Sequence, residues 1–463
     1  MSESGKETSA IPRRAFAILA LLFVFQTLNF FDKLAFGVSG VPMMREFGLT
    51  PSQFGLIGSV FFIFFAVGGA IIGLSVVGRY PSKIILLSLA AVWTVSQFPI
   101  AFTSSIPVIV GCRLLLGVGE GAALATAMTA AYEWFPADRR YIPSALILQG
   151  LSAGFLIGGP LLTFFVVHVG WRSSFLVCGL LSLVWILLYA AVGKEGPLAG
   201  SKIPPAGATS EVPQTAIWFD PTVIGVILLA GLGYWVIGMS AVWLPPYLRL
   251  GLGYDATTAG WIISAIYLVQ SPLLLLGSWI TQSLHKSGLS ARMCLGWSSG
   301  IAMLVSGVAL VGAVLISKGA MQIGLLAIAF STPSLTTIFI PVILSTIAPA
   351  RERGRLIVVI LAGTSVTAFF STYSNGWIVG KFPHNAPTGF AIAFGLGGAI
   401  LLLGALTSFL LLHPERTLVR FDRIRRGMDT GSSRASGSAA SEQRALDRIE
   451  AAAPAASPTV PEF

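Results

Sequence analysis

Four ionisable side chains interrupt two otherwise apolar stretches of the sequence. Asp32 and Lys33 lie in one stretch, and Arg113 and Glu120 lie in another. Each costs about 2.5 to 3.5 kcal/mol at the centre of a membrane helix on insertion scales, so a functional role is the default hypothesis. Their charges sum to zero when all four are ionised. Protonation of one carboxylate leaves a net positive charge that favours a monoanion, which predicts coupled movement of a proton and a carboxylate.

The spacing of the second pair places both side chains on one helix face. Arg113 and Glu120 are seven residues apart, nearly two helical turns, or about 10 Å along the axis. If the first stretch crosses outward and the other inward, Asp32 and Lys33 lie just past the midplane on the external side. Glu120 then lies at the centre and Arg113 toward the outside, so all four charges share one slab of the membrane. The alternative is a pair of buried salt bridges that only fix the two helices together.

A second set of candidates is aromatic or uncharged and lies in the second half of the chain. Each residue alone is explained by packing, but together they could hold the uncharged body of a substrate while the first half binds its charge. The set comprises Tyr234, Trp243, Gln270 and Asn375, with Trp235, Ser334, Thr336, Thr337 and Tyr373 as further neighbours.

The composition excludes a water-soluble globule. Of 463 residues, 55% are hydrophobic and 10% are charged, whereas a soluble domain carries roughly a quarter charged residues. The net charge of +10 lies mostly in short loops and the tail, so nucleic acid is not an expected partner. The three cysteines lie in apolar runs, and no phosphate-binding loop or hydrolase motif is present. The sequence therefore predicts no enzyme activity, no cofactor and no metal ion.

Twelve stretches are long and apolar enough to cross a bilayer as helices, which takes about 20 residues each. They are 15–41, 54–76, 84–104, 106–132, 144–168, 172–192, 222–247, 258–282, 293–316, 321–347, 355–380 and 388–412. The widest polar break follows the sixth, and basic segments at 134–140 and 348–355 recur six spans apart. The predicted fold is an all-α membrane protein with two six-helix bundles.

This pattern divides the chain into five parts. They are an amino-terminal segment 1–14, a first bundle 15–192, a central loop 193–220, a second bundle 221–413 and a tail 414–463. The tail is rich in Ser, Gly, Ala and Pro and is predicted to be disordered. The first apolar stretch continues past Lys33 without a small-residue cleavage site, so we interpret it as a retained span.

The distribution of Lys and Arg predicts the orientation. With the amino terminus inside, the inner side holds Lys6, Arg13, Arg14, Arg79, Lys83, Arg139, Arg140, Lys194, Lys202, Lys286, Arg292, Arg351, Arg353 and Arg355. The outer side holds only Arg45, Arg172, Arg249, Lys318 and Lys381. Both termini are therefore predicted to be cytoplasmic. Arg420, Arg423, Arg425 and Arg426 could also meet anionic membrane lipids, although topology alone explains them.

Four runs together make the chain resemble the major facilitator superfamily, and within it the anion:cation symporter family. They are Asn29 to Lys33, Arg113 to Gly121, Trp134 to Pro136 with basic residues after it, and Trp243 to Leu248. The resemblance covers about residues 15 to 413. It implies uptake of an organic carboxylate, such as a sugar acid or an aromatic acid, together with protons by a monomeric transporter of the inner membrane.

The resemblance also implies roles for individual residues. Lys33 would engage the substrate carboxylate, Asp32 and Glu120 would couple protons, and Gln149 would contact the substrate. The charge pattern itself adds Arg113 as a second cation available to the carboxylate. Lys33 stands where the family usually has Arg, so only a point-charge contact is available there. The loop after the second span has Val77 or Gly78 where the superfamily has Asp, which implies a weaker cytoplasmic latch.

Two other functions remain open from the sequence. Gly154, Gly158 and Pro160 partly match the fifth-helix pattern of antiporters, which would suit a proton-coupled exporter of hydrophobic compounds. A receptor or scaffold of the same fold would bind ligand without flux, but the short loops and the lack of a soluble domain argue against it. Vesicle assays separate these functions.

Overall fold

Twelve long helices dominate the computed structural model, which describes residues 12–136, 139–199, 212–348 and 352–425. They are α1 (Arg13–Val38), α2 (Pro51–Ser75), α3 (Ser82–Phe102), α4 (Ile106–Tyr132), α5 (Ile142–His168), α6 (Arg172–Val192), α7 (Pro221–Gly251), α8 (Ala256–Thr281), α9 (Arg292–Leu315), α10 (Ala320–Ile347), α11 (Leu356–Gly380) and α12 (Ala386–Leu411). Each is long and apolar enough to cross a membrane. The predicted fold class, with bundles α1–α6 and α7–α12, is confirmed, and the chain is a multi-pass membrane protein.

Local sequence signals set the helix starts. The Thr50 side chain and Gln53 form a capping box at the start of α2, with Pro51 in the first turn. Asp220 caps α7 by accepting a hydrogen bond from the Thr222 backbone N–H. These side chains satisfy backbone donors that have no partner within the helix.

Four of the long helices contain irregular segments, and in α9 this is the π-helical segment Arg292–Trp297. α4 consists of Ile106–Glu120 and Ala123–Tyr132, so its regular geometry is interrupted directly after Glu120. α10 is interrupted before Ser334. α7 contains π-helical turns on both sides of two prolines, whose missing N–H groups and ring bulk disturb the helical hydrogen bonds.

The two bundles meet along three helix pairs, which are α1 with α7, α2 with α11, and α5 with α8. Small residues allow the backbones to approach closely. A Cβ atom on Gly37 would lie 2.2 Å from the carbonyl oxygen of Ala241, and one on Gly159 would lie 2.5 Å from that of Gly260. The contact is tight at the end of the molecule that carries the short helix Gly40–Phe47, where Trp243 packs against Phe54.

A further helix corrects the prediction of a disordered tail from residue 414. Pro414–Arg425 form α13, an amphipathic helix that packs against the ends of α7 and α10. Phe421 is 2% exposed, and the Thr417 hydroxyl donates to the Asp220 carboxylate. Composition missed this helix because its stabilising contacts come from distant residues. The rest of the predicted tail, 426–463, lies outside the described residues.

Candidate functional site

A buried ion pair joins α1 to α4. The Lys33 ammonium donates to Oε2 of Glu120, and both side chains are at most 1% exposed. Lys33 also donates to the Asn29 side-chain oxygen at 2.7 Å and to the Asn29 carbonyl oxygen at 3.2 Å. Asn29 and Lys33 are one helical turn apart, so α1 itself presents the amide to the ammonium. The ammonium therefore has three oxygen acceptors and no water-exposed face.

Aromatic rings surround the ammonium on its remaining sides. The Lys33 nitrogen lies 4.7 Å from the centroid of Phe30, 5.1 Å from that of Phe65 and 5.5 Å from that of Phe61. Ring faces attract cations at these distances. The rings therefore stabilise the charged lysine in a place that excludes water.

Arg113 lies between two further ring contacts and is 1% exposed. Its guanidinium carbon is 4.5 Å from the Phe36 centroid and 4.6 Å from the Phe61 centroid. Its Nε and Nη1 donors have no hydrogen-bond partner among the described residues. A buried donor without a partner costs about 1 to 3 kcal/mol, more when charged. This guanidinium therefore has unused capacity to bind an anion.

Asp32 faces a different side of α1. Its neighbours are Gln97 of α3 and Cys178 of α6, because consecutive residues on a helix point about 100° apart. Both carboxylate oxygens, and both amide atoms of Gln97, lack a hydrogen-bond partner among the described residues. The structure thus joins Lys33 and Glu120 directly and places Arg113 beside them against the shared ring of Phe61, whereas Asp32 joins them through the electrostatic field.

Tyr234 is the second-bundle candidate that interacts electrostatically with these charges. It is partly exposed and lies within electrostatic reach of Glu120 across the boundary between the bundles. Trp243 is fully buried near the end of the molecule that carries the short helix Gly40–Phe47. Its indole N–H donates to the Thr372 carbonyl oxygen at 2.8 Å. Asn375 donates to the Ser371 carbonyl oxygen of its own helix at 2.7 Å.

Gln149 and Gln270 form a polar seam between α5 and α8. The Ser271 hydroxyl donates to the Gln149 side-chain oxygen at 3.0 Å, and the Ser152 hydroxyl donates to that of Gln270 at 3.0 Å. Each bond joins the first bundle to the second. Both glutamines therefore lie in the inter-bundle contact, a position that the sequence reasoning did not anticipate.

Sequence reasoning also left several neighbours of the charges without a role. Asn29 begins the run from Asn29 to Lys33, and its spacing of one helical turn from Lys33 could have indicated the contact. For Gln97 and Cys178, the only sequence indication was a polar or polarisable residue within an apolar run, which does not point to Asp32. Ser334, Thr336 and Thr337, by contrast, donate to carbonyl oxygens three residues earlier in the chain, which accounts for their hydroxyl groups.

Two carboxylates at opposite ends of the molecule lie outside the spans. Hydrogen bonds from Arg172 and Trp171 hold the pKa of Glu46 below its ordinary value. Glu133 accepts from the Ser82 hydroxyl at 3.0 Å and from the Gly196 N–H at 3.4 Å, and burial raises its pKa. Glu133 thereby links the end of α4 to the start of α3 and the segment after α6.

Within the described part of the chain, no group of His, Cys, Asp and Glu could hold a metal ion.

Comparisons with known proteins agree with this architecture. The family model described as Major Facilitator Superfamily matches residues 22–340. The probable sulfoacetate transporter of Cupriavidus necator is 28% identical over 51% of this chain and 58% of that protein. The hexuronate transporter of Bacillus subtilis is 26% identical over 54% of this chain and 62% of its own length. The chain thus spans less than two thirds of the length of either relative.

A solved structure is similar in fold over almost the whole chain. A bacterial homologue of the human lysosomal transporter Spinster, in an inward-facing and unoccupied conformation, has a TM-score of 0.70 and 18% sequence identity. The match covers 89% of this chain and 99% of that one. Identity at this level bears on the fold alone.

Proposed function

The chain belongs to the Major Facilitator Superfamily, and from this premise we propose that it is a secondary transporter that takes up an organic carboxylate together with at least one proton. Transport would proceed by alternating access between the two bundles. The named relatives, which include a sulfoacetate and a hexuronate transporter, support an organic acid as the substrate class. The proposal extends to residence in the inner membrane, both termini in the cytoplasm and a monomeric state.

The buried Lys33–Glu120 pair is the observation that carries the proposal. A substrate carboxylate can replace Glu120 beside the ammonium only if the Glu120 charge is removed. Otherwise two carboxylates would compete for one cation in a site of low dielectric. Protonation of Glu120 removes this competition. Proton binding and substrate binding are thereby coupled by a shared partner.

Charge accounting gives the same result. Lys33 and Arg113 balance Asp32 and Glu120 in the resting state, when all four are ionised. Binding of one proton together with one monoanionic substrate leaves the net charge of the site at zero. Either particle alone would leave a net charge buried in the bundle, which is costly to carry through the conformational change. This favours symport over independent movement of the two ions.

Arg113 and Tyr234 complete the proposed site. The unpartnered donors of Arg113 would bind the second oxygen of the carboxylate. Tyr234 of the second bundle lies within electrostatic reach of Glu120, so a substrate at this place would affect both halves. Asp32, next to Gln97 and Cys178, would take a second proton or tune the field around Lys33.

The exporter hypothesis gains no support from the fifth helix. Gly154 and Gly158 lie against α1, where a Cβ on Gly154 would be 2.6 Å from the Thr27 carbonyl oxygen. Packing within the first bundle therefore accounts for this part of the motif. Extrusion of hydrophobic compounds remains a separable outcome of the transport assay.

The test is transport by the purified full chain in liposomes. A thermal-shift screen against small carboxylates selects the substrate, and its uptake is then measured with an acidic exterior. We expect Glu120→Gln to abolish accumulation driven by the pH gradient while sparing counterflow exchange, because glutamine mimics the protonated acid. Glu195→Gln, the same change at an exposed residue, is the matched control. Full gradient-driven accumulation by Glu120→Gln would contradict the mechanism, and extrusion of hydrophobic compounds without acid uptake would replace the function.

A further inference from the structure

A cavity of about 300 Å³ lies between the start of α7 and α13, far from the charges of the first bundle. Its lining combines basic side chains with apolar ones and includes Asp220, Leu410, Leu411, Arg416, Arg420 and Arg423. The proposed transport mechanism uses none of these residues. The cavity therefore needs an explanation of its own.

A buried polar network fixes the two walls of the cavity. Asp220 is 1% exposed, and its carboxylate accepts from the Thr222 backbone N–H at 2.9 Å and from the Thr417 hydroxyl at 2.8 Å. Thr417 also lies 2.7 Å from the Thr222 hydroxyl. The position of α13 against α7 is thus set by hydrogen bonds within the protein, and the cavity is a built feature of the fold.

Three arginines form a stripe on the open side of α13. Arg416, Arg420 and Arg423 follow one another at intervals of four and three residues, which places them on one helix face. Arg420 pairs with Asp220 at 3.4 Å. Arg416 and Arg423 have no ion pair among the described residues. Two guanidinium groups beside the cavity therefore retain their charge for an outside partner.

The other wall is apolar and continues the surface of a membrane span. Leu410 and Leu411 are the last two residues of α12, and Leu410 is 62% exposed. Since α12 ends here, the cavity lies at the boundary between the hydrocarbon and the headgroup layer. A ligand at this level meets arginines at one end and leucine at the other.

We propose that this cavity binds the headgroup of an anionic phospholipid, with the phosphate on Arg416 and Arg423 and the acyl chains along Leu410. Guanidinium groups bind phosphate with paired hydrogen bonds. Two arginines exceed the charge of one phosphodiester, which favours a headgroup without a cationic amine. The exposed leucine favours a lipid over free phosphate. Under the proposed topology this is a lipid of the cytoplasmic leaflet, whose anionic character basic helices recognise.

The experiment measures thermal unfolding of the detergent-solubilised full chain with added phosphatidylglycerol, phosphatidylcholine or inorganic phosphate. We expect phosphatidylglycerol to raise the midpoint by several degrees and the other two additives to raise it little. In the double variant Arg416→Gln/Arg423→Gln, the shift from phosphatidylglycerol should fall by at least half. Arg420 is left in place because it pairs with a buried acid.

Arg79→Gln/Lys83→Gln removes two basic charges where α2 connects to α3, away from α13, and is the matched control. It should keep the full shift from phosphatidylglycerol. Equal shifts for wild type and the Arg416/Arg423 variant would overturn the proposal, as would equal shifts for phosphatidylglycerol and phosphatidylcholine. A shift with inorganic phosphate as large as that with phosphatidylglycerol would show a phosphate site in place of a lipid site. Native mass spectrometry of retained lipid provides a second readout if the double variant is poorly stable.

Discussion

The two six-helix bundles share an architecture but bury different chemistry. In the spans of the first bundle, Asp32, Lys33, Arg113 and Glu120 are all buried. In the spans of the second, every buried polar side chain that the structure describes is neutral. Asp220 is buried as well, but it precedes α7 and caps it. A six-helix bundle of this fold therefore packs without internal charge, which argues that the charges of the first bundle serve function.

Many buried hydroxyl groups of the second bundle donate to backbone carbonyls, although the Ser365 hydroxyl has no hydrogen-bond partner among the described residues. Ser306 donates to the Ala329 carbonyl oxygen at 2.6 Å, and Ser371 donates to that of Trp235 at 2.7 Å. These bonds join neighbouring helices and need no counter-ion. Buried atoms without hydrogen-bond partners among the described residues occur in both bundles, but in the first bundle they include atoms of two fully buried charged groups, Asp32 and Arg113. The first bundle is the half in which ligand or proton binding would relieve an unfavourable state.

The sharpest test of this asymmetry removes the ion pair. Lys33→Met should leave Glu120 buried without its cation, destabilise the protein by about 3 to 5 kcal/mol and reduce uptake to background. Glu120→Gln should also lose gradient-driven accumulation. Thermal unfolding and liposome uptake are the two measurements.

The double variant Lys33→Met/Glu120→Gln distinguishes a structural pair from a functional one. Because both charges are removed together, its stability should return close to that of wild type, whereas transport should stay abolished. Gln270→Met, which removes a neutral buried group in the second bundle, is the control and should cost about 1 kcal/mol. Recovery of transport in the double variant would show that the pair only holds α1 against α4.

A reciprocal exchange of charge should also separate the two halves. Asn375→Asp replaces a buried donor to a carbonyl oxygen by an acid that this oxygen would repel, so we expect a loss of about 2 to 3 kcal/mol. Asp32→Asn removes a carboxylate that lacks hydrogen-bond partners among the described residues but leaves a net charge of +1 among the remaining groups, so we expect a smaller loss in thermal unfolding than for Asn375→Asp. If Asn375→Asp is tolerated as well as Asp32→Asn, the second bundle accepts charge and the asymmetry is not a property of the packing.

The sequence was sufficient for the fold because length and hydropathy specify a membrane span without tertiary information. It was also sufficient to find Lys33 and Glu120, since charge is rare in apolar helices. It could not show that Asp32 faces α3 and α6, because one residue along a helix changes the packing partner. Nor could it show the rings around Lys33 and Arg113, as phenylalanine in an apolar span is commonplace. The helix at Pro414–Arg425 was missed because Asp220, far away in sequence, anchors it.

The ring contacts of Arg113 predict an intermediate effect. Arg113→Lys keeps the charge but loses the planar group that lies over Phe36 and Phe61 and the fork that can bind a carboxylate. We expect the KM for the carboxylate to rise about tenfold, equivalent to about 1.4 kcal/mol, with a smaller change in maximal rate. Uptake kinetics across substrate concentrations provide the measurement. An unchanged KM would place Arg113 outside the substrate site and leave it a packing residue.

An exposed ion pair gives the smallest expected effect and a contrast to the buried pair. Glu46 accepts from Arg172 at 2.7 and 2.9 Å, and these hydrogen bonds lower its pKa. A carboxylate with a lowered folded-state pKa stabilises the protein above its unfolded pKa and loses this contribution as the pH falls through the folded value. Since both side chains are partly exposed, the contribution should not exceed about 1 kcal/mol.

Glu46→Gln should therefore lower the thermal midpoint slightly at pH 7, and the difference should disappear as the pH falls through the lowered folded-state pKa of Glu46 and the wild-type carboxyl becomes protonated. Added salt should shrink the difference at pH 7, because exposed charges are screened. The loss from Lys33→Met should resist added salt, since its pair is shielded from water. If the loss of stability in Lys33→Met depended on salt, ions from the solvent would reach the buried pair in this conformation. The contrast between an enclosed and an exposed ion pair would then be wrong.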